Sequence, residues 1–319
     1  MRKLKRRGAR LRKKKNRTAC PEVYVHCDNH QILSASYCQG VNCESLNPLK
    51  LTPTMPPQES RLRVRVYLWF DRWFQRWMRL LGTLHEGFWL GWLDSEDLTA
   101  VTIGSYQRSH MHNGPEYNQS GLFSWEREII HRFFRPSSRI LVAASGGGRE
   151  LIALHGLGFQ VDGFDCTPRL VETSRRLLEE LGIPSNVMLC APNDVPEKLT
   201  LYDGLIIGWA AYTHISGSDH RIAFLRKLHA SVPLGAPILV SFWVRDEASA
   251  DEGGAFRLAK WLRSLRGRAE TLEPGDHVTD RGYHHCFAKA EIEAEFKAGG
   301  FRMCHYYQAA YPHAVGVAE

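Results

Sequence analysis

The chain has 319 residues, a length at which an open α/β enzyme holds one core with decorations. Its 44% hydrophobic and 24% charged content is ordinary for a globular protein. The formal charge of +7 comes from one place: residues 1–20 carry eleven Lys/Arg and no acid, which leaves 30 basic against 34 acidic residues in the remainder. A nucleic-acid-binding enzyme shows its basic excess within the folded part, so nucleic acid is not an expected partner.

Residues 1–60 have no sustained helical or strand period, and they end in a stretch holding Pro48, Pro53, Pro56 and Pro57; a disordered basic tail is expected, with Met55 as an alternative start. The tail has neither the apolar run nor the cleavage site of a secretory signal. The longest uncharged run, residues 228–244, is interrupted by Pro233, Gly235 and Pro237, so no membrane span is expected and the protein is placed in the cytoplasm. Cys20, Cys27, Cys38 and Cys43 have a spacing that fits no common zinc module, and no metal is expected. Cys166, Cys190, Cys286 and Cys304 read as buried thiols.

Residues 61–81 form an amphipathic helical pattern. Val66, Trp69, Phe70, Trp73, Trp77, Leu80 and Leu81 share one face at a 3.6 period, and Arg65, Arg72, Arg76 and Arg79 line its flank. Aromatic rings beside arginines are the composition of a helix lying in a membrane interface, a possible peripheral contact; the other reading is a helix packed on the catalytic domain or on a partner copy.

From residue 139, short apolar runs alternate with helical patterns. Strands are expected at 140–144, 160–165, 187–191, 204–208 and 237–242, and helices at 149–157, 168–181 and 220–230. This alternation predicts a doubly wound parallel sheet covered on both faces. A helix at 288–298 and strands at 301–308 and 314–318 then close it, giving a seven-stranded, mostly parallel sheet with an antiparallel C-terminal strand.

The first strand runs into Ala144-Ser145-Gly146-Gly147-Gly148 and opens a helix. Glycines allow positive φ and close approach of a ligand to the backbone. Seventeen residues after Gly148 the second strand ends at Asp165, a carboxylate placed to accept from both hydroxyls of a ribose. Thr167 and Pro168 then form an N-cap and first-turn pair. The order of strand, glycines, helix, strand and carboxylate points to nucleoside binding. The spacing departs from the dinucleotide fingerprint, because Leu151 stands where its third glycine belongs.

These residues resemble the motifs of class I S-adenosylmethionine-dependent methyltransferases over about residues 120–319. The glycine loop matches the first motif, with Ala144 in place of its first glycine and Val142 where many relatives carry an acid. Asp165, followed by Cys166, matches the acid ending the second strand. Asn193-Asp194 matches a pair contacting the adenine edge, Tyr202-Asp203 the opening of strand four, Pro233-Leu-Gly235 the turn into strand five, and Ala298-Gly-Gly-Phe301 the end of the penultimate helix. The resemblance implies S-adenosylmethionine as cofactor, a small-molecule or lipid methyl acceptor, and a cofactor site that includes Gly208, Trp209 and Tyr117. It divides the chain into the tail 1–60, a helical segment 61–105 and a methyltransferase domain 106–319.

The acceptor is expected beyond the carboxyl ends of the strands. There Trp209, Tyr212 and His214 follow strand four. His214 could take a proton from an N–H or O–H acceptor, or could simply start a helix and bond the backbone. His284 and His285 are further candidates for the same role. The polar stretch 112–121 is expected to fold over the cofactor. An insertion at 245–284, with a helix near 255–265, is expected to shape the acceptor pocket.

Overall fold

The computed structural model describes residues 62–197, 199–245, 253–267 and 272–319. The expectations for the basic tail and its four cysteines lie outside the described residues. Among the described residues five helices precede the sheet: α1 (Leu62–Trp92), α2 (Ser95–Arg108), the short α3 (His110–Asn113) and α4 (Pro115–Asn118), and α5 (Ser124–Phe133). Then come β1 (Arg139–Ala143), α6 (Arg149–Gly156), β2 (Gln160–Asp165), α7 (Pro168–Glu180), β3 (Val187–Leu189), β4 (Gly204–Ile207), α8 (Ser218–His229) and β5 (Pro237–Ser241). After β6 (Trp243–Val244) follow α9 (Gly254–Leu265), β7 (Asp276–Thr279), β8 (Gly282–Phe287), α10 (Lys289–Ala298), β9 (Phe301–Tyr307) and β10 (His313–Ala318).

The main sheet has the order β3-β2-β1-β4-β5-β10-β9. Strands β1 to β5 pair in parallel, and β10 runs antiparallel to both β5 and β9. This is the expected doubly wound, seven-stranded sheet. Successive side chains of β1 alternate faces, Ile140 and Val142 to one and Leu141 and Ala143 to the other, and all four are buried. Helices α5, α6 and α7 cover the first face through Ile130, Leu151, Leu154 and Val171. Helices α8 and α10 cover the second through Phe224, Leu225, Leu228, Ile292 and Phe296. Each such side chain contributes about 1.5–3 kcal/mol of burial. Strand order reverses between β1 and β4, and the crevice beyond their carboxyl ends is where this class of sheet binds ligands.

The insertion holds more structure than its composition indicated. Besides α9 it supplies β7 and the first half of β8, which form with β6 a second sheet in the order β6-β8-β7. Helix α2 packs on this sheet: its N terminus is capped reciprocally by Asp94 and Asp97, and Thr102 Oγ1 accepts the Tyr283 N–H at 3.0 Å. The three thiols Cys166, Cys190 and Cys304 are free, but Cys286 is disulfide-bonded, which corrects the reading of four thiols.

The helical pattern expected at 61–81 continues to Trp92, for 31 residues. Gly87 and Gly91 do not end it; they are its contact with α9. A Cβ on Gly87 would lie 2.6 Å from the Ala255 carbonyl oxygen, and one on Gly91 2.8 Å from that of Ala259, so the missing side chains are what let the two backbones approach. Helix α9 also finishes α1, because Arg263 Nη2 donates to the carbonyls of Leu90 and Leu93 and Arg266 Nη1 donates to that of Trp92. The contact with α9 is thus made by the last turns of α1, beyond the segment 61–81 to which the two sequence readings apply. Residues 62–81 are exposed, apart from half-buried Asp71. Among the described residues no helix is long and apolar enough to cross a membrane.

Gly91→Val is expected to cost about 1–3 kcal/mol through overpacking against α9. A thermal melt of the full chain checks this; an unchanged midpoint would show that α1 and α9 do not meet here.

Candidate functional site

Beyond β1 the chain turns through Ala144 (φ 52°), Gly146 (φ 54°) and Gly148 (φ 98°) before α6 begins. Ala144, the departure from the family's loop, thus occupies a left-handed conformation that costs a residue with a Cβ about 1–2 kcal/mol. The glycines do different things. In front of Gly146 the space is open, with no heavy atom within 4 Å of a Cβ built there. A Cβ on Gly147 would lie 2.4 Å from Asn118 Nδ2. Gly208, just beyond β4, meets the Ala144 carbonyl, 2.3 Å from where its Cβ would stand. Ser145 is buried between the loop and β2.

Asp165 ends β2 beneath this loop. Its Oδ2 accepts the Gly146 N–H at 2.9 Å and its Oδ1 the Thr167 N–H at 2.7 Å. Thr167 makes no side-chain cap; Asp165 takes the first amide of that turn instead, and Pro168 stands at the helix start as expected. Burial pushes the Asp165 carboxyl pKa up against these hydrogen bonds. Beside it the Cys166 thiol is pushed up to about 11, by burial and then by the Asp165 charge. Asn193 (φ 58°) and Asp194 lie in the turn after β3. The Asp194 carboxylate is engaged by Lys227 of α8 at 2.5 Å and by its neighbour Val195 N–H, which hold its pKa down.

The segment 106–121 covers the loop, as two short helices rather than an open stretch. Asn118 is 1% exposed, and its Nδ2 donates to the carbonyls of His112 and Gly114, both at 2.9 Å, which fastens it over Gly147. Tyr117 packs edge-on to His112 and 5.8 Å from the Arg149 guanidinium, and burial pushes its hydroxyl up to about 12. Next to it Tyr106, not expected from the sequence, donates its hydroxyl to His214 Nε2 at 2.9 Å. His214 Nδ1 lies 2.7 Å from the Tyr283 carbonyl, which can only accept, so the proton sits on Nδ1 and Nε2 offers a lone pair. Burial lowers the His214 pKa and raises that of Tyr106, so both are neutral near pH 7.

Trp209 is half-exposed on the other side of the loop. Its ring lies 5.5–5.7 Å from those of Phe123, Trp125 and Tyr311, and its N–H reaches Glu150 Oε1 at 3.4 Å. Behind it, Arg149 is buried between Glu126 and Glu150, at 2.7 and 2.6 Å.

Two expected site residues are not at the mouth of the sheet. Tyr212 is fully buried, stacked on Phe287, and donates to Glu295 Oε2 at 2.6 Å. His285 is fully buried on β8, and its Nδ1 donates to Asp276 Oδ1 at 2.7 Å. Both belong to a charged core between α8, α10 and the small sheet. Glu273, Asp276 and His285 there have donor atoms within 4.8 Å of one another. The charge of this cluster is already met by Arg221, whose Nη2 lies 2.6 Å from Glu273 and 2.7 Å from Glu295. His284, by contrast, faces Trp243 and His277 rather than the glycine loop.

The residues of the cleft fit a nucleoside cofactor. The Gly146 backbone is open to close approach, and the Asp165 carboxylate that ends β2 stands directly beside it as a hydrogen-bond acceptor.

No family model matches the chain, and no curated protein matches it. Solved structures do. The 1,6-didemethyltoxoflavin-N1-methyltransferase of Burkholderia thailandensis, with 1,6-didemethyltoxoflavin and S-adenosylhomocysteine bound, is 14% identical with a TM-score of 0.50, over 71% of this chain and 91% of its own. An S-adenosylmethionine-bound amino pentose methyltransferase from Micromonospora echinaspora is 14% identical with a TM-score of 0.47, over 63% and 94%. A methyltransferase from Methanosarcina mazei is 13% identical with a TM-score of 0.46, over 62% and 96%. The chain has the class I S-adenosylmethionine-dependent methyltransferase fold.

The histidines behind the site make stability pH-dependent. Burial, then the neighbouring His277, pushes His284 down to about 3. The unfolded chain, with an ordinary value near 6.5, takes up the proton first. The His284 contribution to stability is therefore complete above about pH 6.5 and falls with pH below it, by up to about 1.4 kcal/mol per unit. His284→Phe is expected to flatten denaturant-derived stability between about pH 6.5 and 5; an unchanged slope would assign the loss elsewhere.

Proposed function

We propose that this protein transfers a methyl group from S-adenosylmethionine to a small-molecule or lipid acceptor, in the crevice beyond β1 and β4. One observation carries the reading: the Gly146 amide and the Asp165 carboxylate meet at 2.9 Å at the switch point of the sheet, with open space in front of the glycine. The cofactor supplies a methyl group activated on a sulfonium. Gly146 lets that ligand reach the backbone, and the Asp165 carboxylate accepts from its ribose hydroxyls. Asn118 and Tyr117 close over the loop and exclude water, and the Trp209 ring offers a π face to positive charge.

Transfer to an N–H or O–H acceptor leaves a proton to be removed. His214 Nε2 takes one from the Tyr106 hydroxyl as that hydroxyl receives the acceptor's, a relay set by the Tyr283 carbonyl behind the ring. Alignment of acceptor and methyl group supplies much of the remaining rate. The small-molecule reading is in keeping with the Burkholderia structure, which holds its acceptor beside the demethylated cofactor. The exposed aromatic face of α1 favours a lipid.

Calorimetric titration of the full chain is expected to show binding of S-adenosylmethionine and S-adenosylhomocysteine and none of NADH. Asp165→Ala should weaken that binding by about 1–3 kcal/mol. Gly146→Val, placing a β-branched residue at positive φ, should abolish it while the fold survives. Unchanged affinity in both variants would remove the loop from the site. Binding without turnover on any acceptor would leave a binding protein on an enzyme's fold.

A further inference from the structure

Helix α1 leaves the body of the protein. Its docked end stops near Thr83, whose methyl group lies 3.2 Å from where a Gly254 Cβ would stand, and the preceding residues 62–81 extend for about 30 Å at 1.5 Å per residue. Along this overhang Trp69 is 63% exposed, Phe70 51%, Trp73 45% and Trp77 48%. The rings of Phe70, Trp73 and Trp77 form a continuous ladder, Phe70 to Trp73 at 5.8 Å and Trp73 to Trp77 at 5.9 Å. An apolar surface of this extent requires a cover.

The charges on the helix select the cover. Residues 62–81 carry five arginines and one acid, Asp71. Arg65, Arg72, Arg76 and Arg79 fall along one flank of the aromatic face, and no carboxylate among the described residues pairs with them. A second copy of this chain would bring the same arginines against them. Arginines recurring through the segment also keep it from spanning a bilayer, and it falls short of the hydropathy of a span. Tryptophan and arginine side chains are both at home at headgroup level, rings at the acyl boundary and guanidinium groups on phosphate. The eleven Lys/Arg of residues 1–20 add a second cationic element ahead of the helix.

We infer that α1 is a membrane anchor: its overhanging part lies along an anionic lipid surface, with Trp69, Phe70, Trp73 and Trp77 in the interface and Arg65, Arg72, Arg76 and Arg79 on lipid phosphates. The helix is inserted in the plane of the leaflet, and the glycine-mediated contact with α9 holds the enzyme body beside it. This inference is independent of the cofactor and of catalysis.

Co-sedimentation of the full chain with phosphatidylcholine vesicles, with and without phosphatidylserine, tests it. Binding is expected with phosphatidylserine at low salt, to weaken with added salt, and to be lost on vesicles of phosphatidylcholine alone. Arg72→Glu and Arg76→Glu should each lower the partition coefficient by on the order of tenfold. Trp73→Asp should release the protein with its melting midpoint unchanged, and vesicles should blue-shift the tryptophan emission of the parent. No sedimentation at low salt overturns the inference. So does binding untouched by the α1 variants, which would assign it to residues 1–20 alone. A lower melting midpoint in Trp73→Asp, or a dimer in sedimentation velocity that the same substitution dissociates, would show that protein covers the face and would equally overturn it.

Discussion

A buried guanidinium holds the site together. Arg149 opens α6 immediately after the glycine loop and is 1% exposed, at the end of a helix whose dipole disfavours a cation. Burial opposes its charge, but Glu150 and Glu126 outweigh it and hold the guanidinium protonated. A second Nη1 hydrogen goes to the Gly121 carbonyl at 3.0 Å, and the guanidinium face lies 4.4 Å from the Phe123 ring. Through these contacts one side chain joins α5, the loop from 119 to 123, the glycine turn and, through Glu150, the backbone of Trp209. Removing one member of such a network strands a charge in the interior, which is costlier than never having placed it there. The cover over the glycine loop is thus fixed by the same group that begins the helix after that loop.

Arg221 plays the corresponding part across the cleft. It ties α8 to Glu273 of the insertion and Glu295 of α10, and Tyr212 and His285 are drawn into that network rather than toward solvent. The small sheet held there presents its backbone outward: the Tyr283 amide donates to Thr102 of α2, and the Tyr283 carbonyl fixes the His214 tautomer. Tyr106, one turn along α2 from Thr102, arrives at His214 as a result. The hydrogen-bonded chain of Tyr106, His214 and the Tyr283 carbonyl is therefore assembled from a helix before the sheet, a turn after β4 and a strand in the insertion.

The sheet was legible because its central strands β1, β2, β4 and β5 are short runs buried on both faces and alternate with helical patterns. The turn from Ala144 to Gly148 and the carboxylate at Asp165 were legible for the same local reasons. What could not be read was the direction of side chains in irregular backbone. Trp209, Tyr212 and His214 sit close in sequence, but residues 211–214 form a 3-10 turn of three residues per turn, in which positions 212 and 214 cannot share a face. Tyr212 points into the core and His214 out of it. Tyr106 carried no signal, because its role depends on a contact with a residue 108 positions away. His285 was one position from a residue on the other face of β8, and alternation along a strand makes such neighbours opposite in environment.

Glycine serves opposite ends in two places, for a single physical reason. In the loop after β1, Gly146 leaves room that no protein atom fills; in α1, Gly87 and Gly91 leave room that α9 fills with backbone. Sequence alone distinguishes the two poorly, since both are small residues next to apolar runs. The difference has consequences for how the parts connect. Because α1 is docked through its last turns and Asp94 caps α2 two residues after α1 ends, the overhanging helix and Tyr106 belong to one continuous length of chain, pinned midway by α9. Load on the overhang is carried first by the glycine contact and the arginines that finish the helix, and the hydrogen bond between Tyr106 and His214 lies beyond that pin.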